Sequence, residues 1–176
     1  MNIMIINSSK KWGGNERWSV ETANALLKNG HQVHFGLRSS ILENKLSGNI
    51  FKHNLKLAHE FNFAAYFELS KILKKYKIDV IIPTKRKEYV IAGICGKMLS
   101  VPVWFRLGIV RPIPKHKILQ RLIYGKLPTG IICNSKQIKQ QMMNDGIIDE
   151  EKIHVVYNGY SFSEITNNSV SQQDNQ

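Results

Sequence analysis

Residues 2–37 read NIMIINSSKKWGGNERWSVETANALLKNGHQVHFGL, and the punctuation of this stretch decides the fold. Asn2 to Asn7 is a short apolar run without clean alternation, as expected of a strand covered on both faces. Ser8, Ser9, Gly13 and Gly14 break it. From Asn15 to Asn29 the apolar positions Trp18, Val20, Ala23, Ala25, Leu26 and Leu27 include three- and four-residue spacings, and Gly30 follows as a C-terminal stop, so a helix is expected. His31 to Leu37 reads as a second strand. The order strand, glycine-containing loop, helix, strand is one βαβ unit.

The same alternation runs outward from it. Asn49 to His53 is a weak strand candidate, Glu60 to Tyr76 a helix, and Ile78 to Ile82 a strand stopped by Pro83. A helix over Glu88 to Leu99, a strand at Val101 to Arg106 and a helix near Lys115 to Lys126 follow. Gly130 to Cys133 is a strand, Ser135 to Asp145 a helix ended by Gly146, and Lys152 to Val156 a last short strand. Strands alternating with helices predict an α/β domain: a doubly wound, Rossmann-like parallel sheet of about seven strands with helices on both faces, over residues 1–160. Residues 161–176 contain no Lys or Arg and few large apolar side chains, and are expected to be a disordered tail or linker remnant.

Composition narrows the function classes. Hydrophobic residues make up 43% and charged residues 22% of 176, which excludes a disordered or collagen-like chain. No apolar stretch approaches the roughly 20 residues of a membrane-spanning helix, and the N-terminus lacks the pattern of a signal peptide, so a cytoplasmic location is expected. Cys95 and Cys133 lie in apolar segments and read as buried free thiols. The net charge of +12 is concentrated: Lys85 to Lys126 holds ten basic residues and one acid, Glu88. Such a field favours a polyanion, either an anionic lipid surface, a phosphorylated substrate or nucleic acid, unless it only keeps the protein soluble.

In open parallel sheets ligands sit beyond the carboxyl ends of the strands. After the first strand, Gly13 and Gly14 precede a helix whose N-terminus attracts phosphate, although the pair also suits a simple tight turn. G-x-G-x-x-G is absent, and no acidic residue closes the second strand to hold a ribose, so a dehydrogenase is not expected. The six histidines match no metal spacing, and no Ser-His-Asp arrangement is visible. Phe61, Phe63, Tyr66 and Phe67, at helical spacing, are expected to fill the core. Trp12 and Trp18 flank the glycine loop, where a ring can stack on a sugar or an acyl chain. Ile118, Leu119, Leu122, Ile123 and Leu127 interleave with Lys115, Lys117, Arg121 and Lys126, a basic amphipathic pattern that suits either an anionic membrane or a sheet-covering helix.

The Gly-Gly-x-Glu-Arg loop (Gly13, Gly14, Glu16, Arg17), the Gly-His-x-Val opening of the second strand (Gly30, His31, Val33), the Asp-Val-Ile strand (Asp79 to Ile81), Gly96-Lys97 before Val101-Pro102, Cys-Asn-Ser-Lys (Cys133 to Lys136), and Glu-Lys-Ile followed by Tyr-Asn-Gly (Glu151 to Ile153, Tyr157 to Gly159) together resemble the N-terminal half of a family 4 glycosyltransferase. The resemblance covers about residues 1–160. It implies the acceptor-binding domain of a two-domain GT-B enzyme that transfers a glycosyl unit from a nucleotide-sugar to a glycan or lipid-linked acceptor, with retention and generally without a metal or other cofactor. Gly13, Gly14, Glu16 and Arg17 then form the donor-phosphate-side loop, and Asn158 and Gly159 the interdomain crossing. A C-terminal donor domain is expected to be absent from these 176 residues. Glu60 and Glu68 match the Glu-x7-Glu spacing of such donor domains, but they flank FNFAAYF on an amphipathic helix and are read as surface residues.

Where many relatives carry a histidine near the acceptor, this chain has Arg106. Arginine cannot serve as a base near neutral pH but pairs bidentately with phosphate. Arg106, Lys85 and Arg86 are therefore the candidate acceptor- or phosphate-binding residues; no catalytic residue is assigned. The family reading sets the chain in a surface polysaccharide or lipid-linked glycan pathway, and the basic segment from Lys85 to Lys126 predicts peripheral association with the inner face of the plasma membrane. Two other readings remain: a non-catalytic binding module for an anionic acceptor or membrane, and a basic nucleic-acid-binding protein, the latter carried by charge alone with no nucleic-acid motif behind it.

Overall fold

The computed structural model describes residues 1–109, 118–146 and 148–159. Among these residues seven strands alternate with helices: β1 (Asn2–Asn7), α1 (Gly14–Lys28), β2 (Gln32–Leu37), α2 (Ser40–Glu43), β3 (Phe51–Asn54), α3 (Phe63–Lys75), β4 (Val80–Pro83), α4 (Arg86–Leu99), β5 (Trp104–Leu107), α5 (Ile118–Arg121), β6 (Gly130–Cys133), α6 (Lys136–Asp145) and β7 (Ile153–Val155). All ladders are parallel, as βαβ connections require.

The strands do not form one unbroken ladder of about seven. Four pair in the order β3-β2-β1-β4 and three in the order β5-β6-β7. The two groups meet at a single bridge between Ile81 and Val103, where the Ile81 N–H donates to the Pro102 carbonyl at 2.9 Å. Apolar packing continues across this seam. On one face, Met4, Ile6, Leu69, Leu73, Ile91, Phe105, Ile131 and Ile153 belong to one buried cluster. On the other, Ile5, Val33, Phe35 and Leu37 pack against Val20 and Ala23 of α1. Alternate residues of β1 and β2 thus serve opposite faces, the reason their sequences lack polar alternation.

Most predicted elements are present with shifted ends. Helix α1 stops at Gly30, whose φ of +82° is open to glycine at no steric cost. The weak strand at Asn49 to His53 is β3, two residues later at its start. Helix α2 escaped the sequence reading, being a single turn started by Ser39, whose hydroxyl accepts from the Ile41 N–H at 3.3 Å. The helix expected near Lys115 to Lys126 lies partly outside the described residues; the remainder is α5, continued by a π-helical turn over Leu122–Lys126. The expected tail, 161–176, lies wholly outside them.

The aromatic expectation for α3 is overturned. Phe61, Phe63 and Phe67 are 74%, 83% and 63% exposed, and only Tyr66 is partly buried against the core. A 3.6-residue period gives the core one stripe, and Ala65, Leu69 and Leu73 already fill it.

Candidate functional site

Chain order places the switch between opposite sheet directions at β1 and β4, so the loops leaving their carboxyl ends diverge and open a crevice there. A cleft of about 550 Å³ occupies that position. It is lined by Gly14, Asn15 and Glu16 after β1, Thr84, Lys85 and Arg86 after β4, Leu107, Gly108 and Ile109 after β5, together with Tyr89, Arg106, Gln120 and Tyr124.

One buried acid fastens the loops that frame it. Glu88 in the first turn of α4 is fully buried and accepts hydrogen bonds from the backbone N–H groups of Ser8 (2.6 Å), Thr84 (2.9 Å) and Lys85 (2.9 Å). Burial raises its pKa, while these donors and the Lys85 charge act in the opposite direction. The loop after β1 is tied to the loop after β4 through this single carboxyl group. Within the first loop, Asn7 accepts from the Ser9 N–H at 3.0 Å and donates to the Ser19 hydroxyl at 2.9 Å.

Glu16 and Lys85 form an ion pair of 2.9 Å across the cleft wall. Burial alone would raise the Glu16 pKa; the hydrogen bond and charge of Lys85, helped by Ser9, hold it below the usual carboxylate range. Glu16 is 6% exposed, and its anion balances the lysine beside the N-terminus of α1.

Arg106 is the notable cation. It is 4% exposed at the end of β5. Its guanidinium lies 4.5 Å from the Trp18 ring centre, and Nη1 donates to Asn15 Oδ1 at 2.6 Å. The strand end itself is pinned by the Tyr89 hydroxyl, which donates to the Arg106 carbonyl at 2.5 Å, while the Tyr89 ring stacks on Phe105 at 4.3 Å. Burial lowers the pKa of Arg106, opposed by Tyr89 and Glu16; starting from so high a value, the side chain stays cationic near neutrality. Among the described residues no carboxylate lies within ion-pair distance of it. Gly108 makes this placement possible, since a β-carbon there would collide with the guanidinium Nη1.

The candidate residues thus separate. Gly14, Glu16, Lys85, Arg86 and Arg106 all line the cleft. Gly13 precedes α1 in an extended conformation, and a β-carbon on it would press on Glu16 Oε2 at 3.1 Å. Arg17 turns instead to Glu21, at 2.5 Å on the exposed side of α1. Arg86 reaches Glu60 at 3.2 Å, while Glu68 pairs with Lys56 at 3.7 Å, so both glutamates are surface partners. Asn158 and Gly159 are exposed after β7. Sequence reasoning missed Asn15, Tyr89 and Gly108 and did not foresee that Trp18 carries a cation; the nearest signal was the Gly108 that follows Arg106 by two residues. Among the described residues, no group of three or more His, Cys, Asp or Glu side chains is placed to hold a metal ion.

Comparison with known proteins agrees with this architecture. A glycosyltransferase from Rickettsia africae superposes with a TM-score of 0.78 at 18% identity, over 98% of this chain and 49% of its own length. Anabaena HepE, solved in complex with UDP-glucose, gives 0.71 at 19% identity over 98% and 50%. The apo lipopolysaccharide outer core galactosyltransferase WaaB gives 0.61 at 19% identity over 92% and 46%. The chain therefore spans about half the length of these structures, and at such identities the likeness shows the fold alone. No curated protein matches the chain. The family profile described as Glycosyltransferase Family 4 matches residues 12–164, most of the sequence, and on that match the chain belongs to glycosyltransferase family 4.

Proposed function

We propose that this chain is the acceptor-side domain of a retaining glycosyltransferase that transfers a sugar from a nucleotide-sugar to a glycan or lipid-linked acceptor. The observation that carries the reading is Arg106: a buried cation that has no carboxylate within ion-pair distance among the described residues, facing a cleft at the switch point. Burying an unpaired charge is costly, and an anionic ligand removes that cost. Arg106 is thus assigned to a phosphate or carboxylate of the acceptor, held in register by Asn15 and Trp18, with Lys85 as a second cation. The first turn of α1, from Gly14, directs its N–H groups and positive dipole end toward the same cleft and is assigned to the donor diphosphate. Lys85 keeps Glu16 from repelling that phosphate. These residues bind and orient; the sugar and its nucleotide are assigned to a second domain, in the same or another chain, beyond Asn158 and Gly159.

Acceptors of this kind are expected at an anionic membrane surface, and the basic segment from Lys85 to Lys126 supports peripheral attachment there. No helix among the described residues is long and apolar enough to cross a membrane. The non-catalytic and nucleic-acid readings find no comparable observation, and no nucleic-acid partner is proposed.

Arg106→Met tests the assignment, because it keeps the hydrocarbon packing on Trp18 and removes the charge. Calorimetric titration with a phosphate-bearing glycan acceptor should weaken by about 10- to 100-fold, the equivalent of one charge-assisted hydrogen bond at roughly 1.5–3 kcal/mol. The thermal midpoint should not fall. Unchanged acceptor affinity would remove Arg106 from the site.

A further inference from the structure

The aromatic side chains that α3 leaves outside the core have neighbours of the same kind. On α4, Ile94 is 36% and Met98 74% exposed. Helix α3 packs against α4 through Ser70 and Tyr66, whose hydroxyl and backbone carbonyl lie 3.5 and 3.6 Å from Cys95 Sγ. Phe63 and Phe67 are one turn apart on the outward side of α3 next to Ser70, and Ile94 and Met98 one turn apart on the outward side of α4 next to Cys95. The four therefore border the shallow groove between the two helices, with Phe61 at its end. Lysines surround it: Lys71 and Lys74 continue the outward row of α3, Lys97 that of α4, and Lys71 Nζ sits 4.3 Å over the Phe67 ring. The nearby acids are already paired, Glu60 with Arg86 and Glu68 with Lys56.

We propose that this outer α3–α4 face docks an anionic lipid bilayer, its Phe and Met side chains entering the headgroup boundary and its lysines meeting the lipid charge. This deepens the membrane part of the function proposed above, and rests on it, by naming the face that makes contact. Contiguous exposed hydrocarbon marks an interaction surface, and hydrocarbon framed by lysine matches the polarity profile of an anionic interface, where aromatic rings settle at headgroup depth. A second copy of the chain is a poor occupant, because face-to-face docking would bring two lysine rims together. The Arg86–Glu60 contact joins the phenylalanine end of the face to the cleft rim, so a chain seated this way holds its cleft beside the headgroups, where a lipid-linked acceptor carries its phosphate.

The test is sedimentation of the 176-residue chain with vesicles of phosphatidylglycerol and phosphatidylcholine, against phosphatidylcholine alone, at low and high salt. Binding should require the anionic lipid and weaken with salt. Phe63→Ser with Phe67→Ser should weaken it by about tenfold or more, and Lys71→Glu with Lys74→Glu comparably, both with melting curves overlaying the parent because all four side chains are exposed. Binding that ignores both pairs but falls with Arg121→Glu and Lys126→Glu would overturn this face while leaving membrane attachment standing. Absence of binding to anionic vesicles would overturn both. A dimer in sedimentation velocity that dissociates in the Phe63→Ser, Phe67→Ser variant would assign the face to a second copy and overturn the proposal.

Discussion

Arg106 and Phe63 occupy opposite ends of the exposure scale, and each is on the side its chemistry disfavours: the guanidinium is 4% exposed and the phenyl ring 83%. At the carboxyl edge of the sheet, charge is drawn inward and fixed by Trp18, Asn15 and the absence of a side chain on Gly108. On the outer side of α3, hydrocarbon stands in water with lysine at its margins. Folding within a chain minimises both arrangements. One of each, linked through Arg86 and Glu60, fits the two contacts proposed above: an anion for the first and a low-polarity surface for the second.

Acid provides the largest perturbation of this contrast, because it adds charge to a third buried site. His34 is fully buried in β2, stacked on Phe51 and against Tyr76, with its Nδ1 3.0 Å from His53 Nε2. Burial first, then the neighbouring His53, lowers its pKa to about 4; His53 is lowered by burial and by Lys75. A folded-state pKa below the unfolded value means the unfolded chain binds more protons as pH falls, so stability is full above about pH 6.5 and declines toward pH 4. The expected loss is roughly 3 kcal/mol at most, at about 1.4 kcal/mol per pH unit. The depressed Glu16 carboxyl acts in the same direction at the lower end. The raised Glu88 carboxyl acts in the opposite direction, so the midpoint in urea should fall more steeply between pH 7.5 and 4.5 in the parent than in His34→Phe; an unchanged slope would refute the assignment.

Gly108→Val should have the next largest effect. Its side chain meets the guanidinium and must expel Arg106 from Asn15 and Trp18, at a cost of about 1–3 kcal/mol typical of overpacking. Acceptor affinity should fall at least as far as in Arg106→Met. A stable variant with parent affinity would show that the tight fit is unnecessary. Arg17→Ala is the smallest expected change: its ion pair with Glu21 is exposed, and losing that pair should move stability by no more than about 0.5 kcal/mol, with acceptor or donor affinity changing by less than about threefold. A tenfold loss of nucleotide-sugar binding would return Arg17 to the phosphate side of the loop.

The parts legible in the sequence were those with a local physical signature. Gly30 and Gly146 end helices because the backbone there turns left-handed, and the alternation of short apolar runs with helical spacings announced parallel βαβ units. The cleft loops could be placed because a doubly wound sheet directs its ligands to strand ends. What stayed hidden depended on partners distant in sequence. Arg106 at the end of VWFR looks like any surface cation, and only Asn15, 91 residues away, and Trp18 reveal that it is held inside. FNFAAYF read as core because every third or fourth residue is apolar. The helix is wrapped by hydrocarbon on more than one side, however, and composition alone cannot say which side meets the sheet.

The single rung between Ile81 and Val103 has a consequence for how the molecule comes apart. Backbone pairing divides the chain into an early block, β1 to β4, and a later one, β5 to β7, almost without crosslinks between them. The larger side-chain cluster ignores that division, running from Met4 through Ile91 and Phe105 to Ile153. Cohesion across the seam is therefore carried by oily contacts, which have no direction and tolerate small slips, whereas within each block it is carried by hydrogen bonds, which do not. Amide protons near the seam should exchange with solvent sooner than those at the centres of β1 and β6, while heat still melts both blocks together.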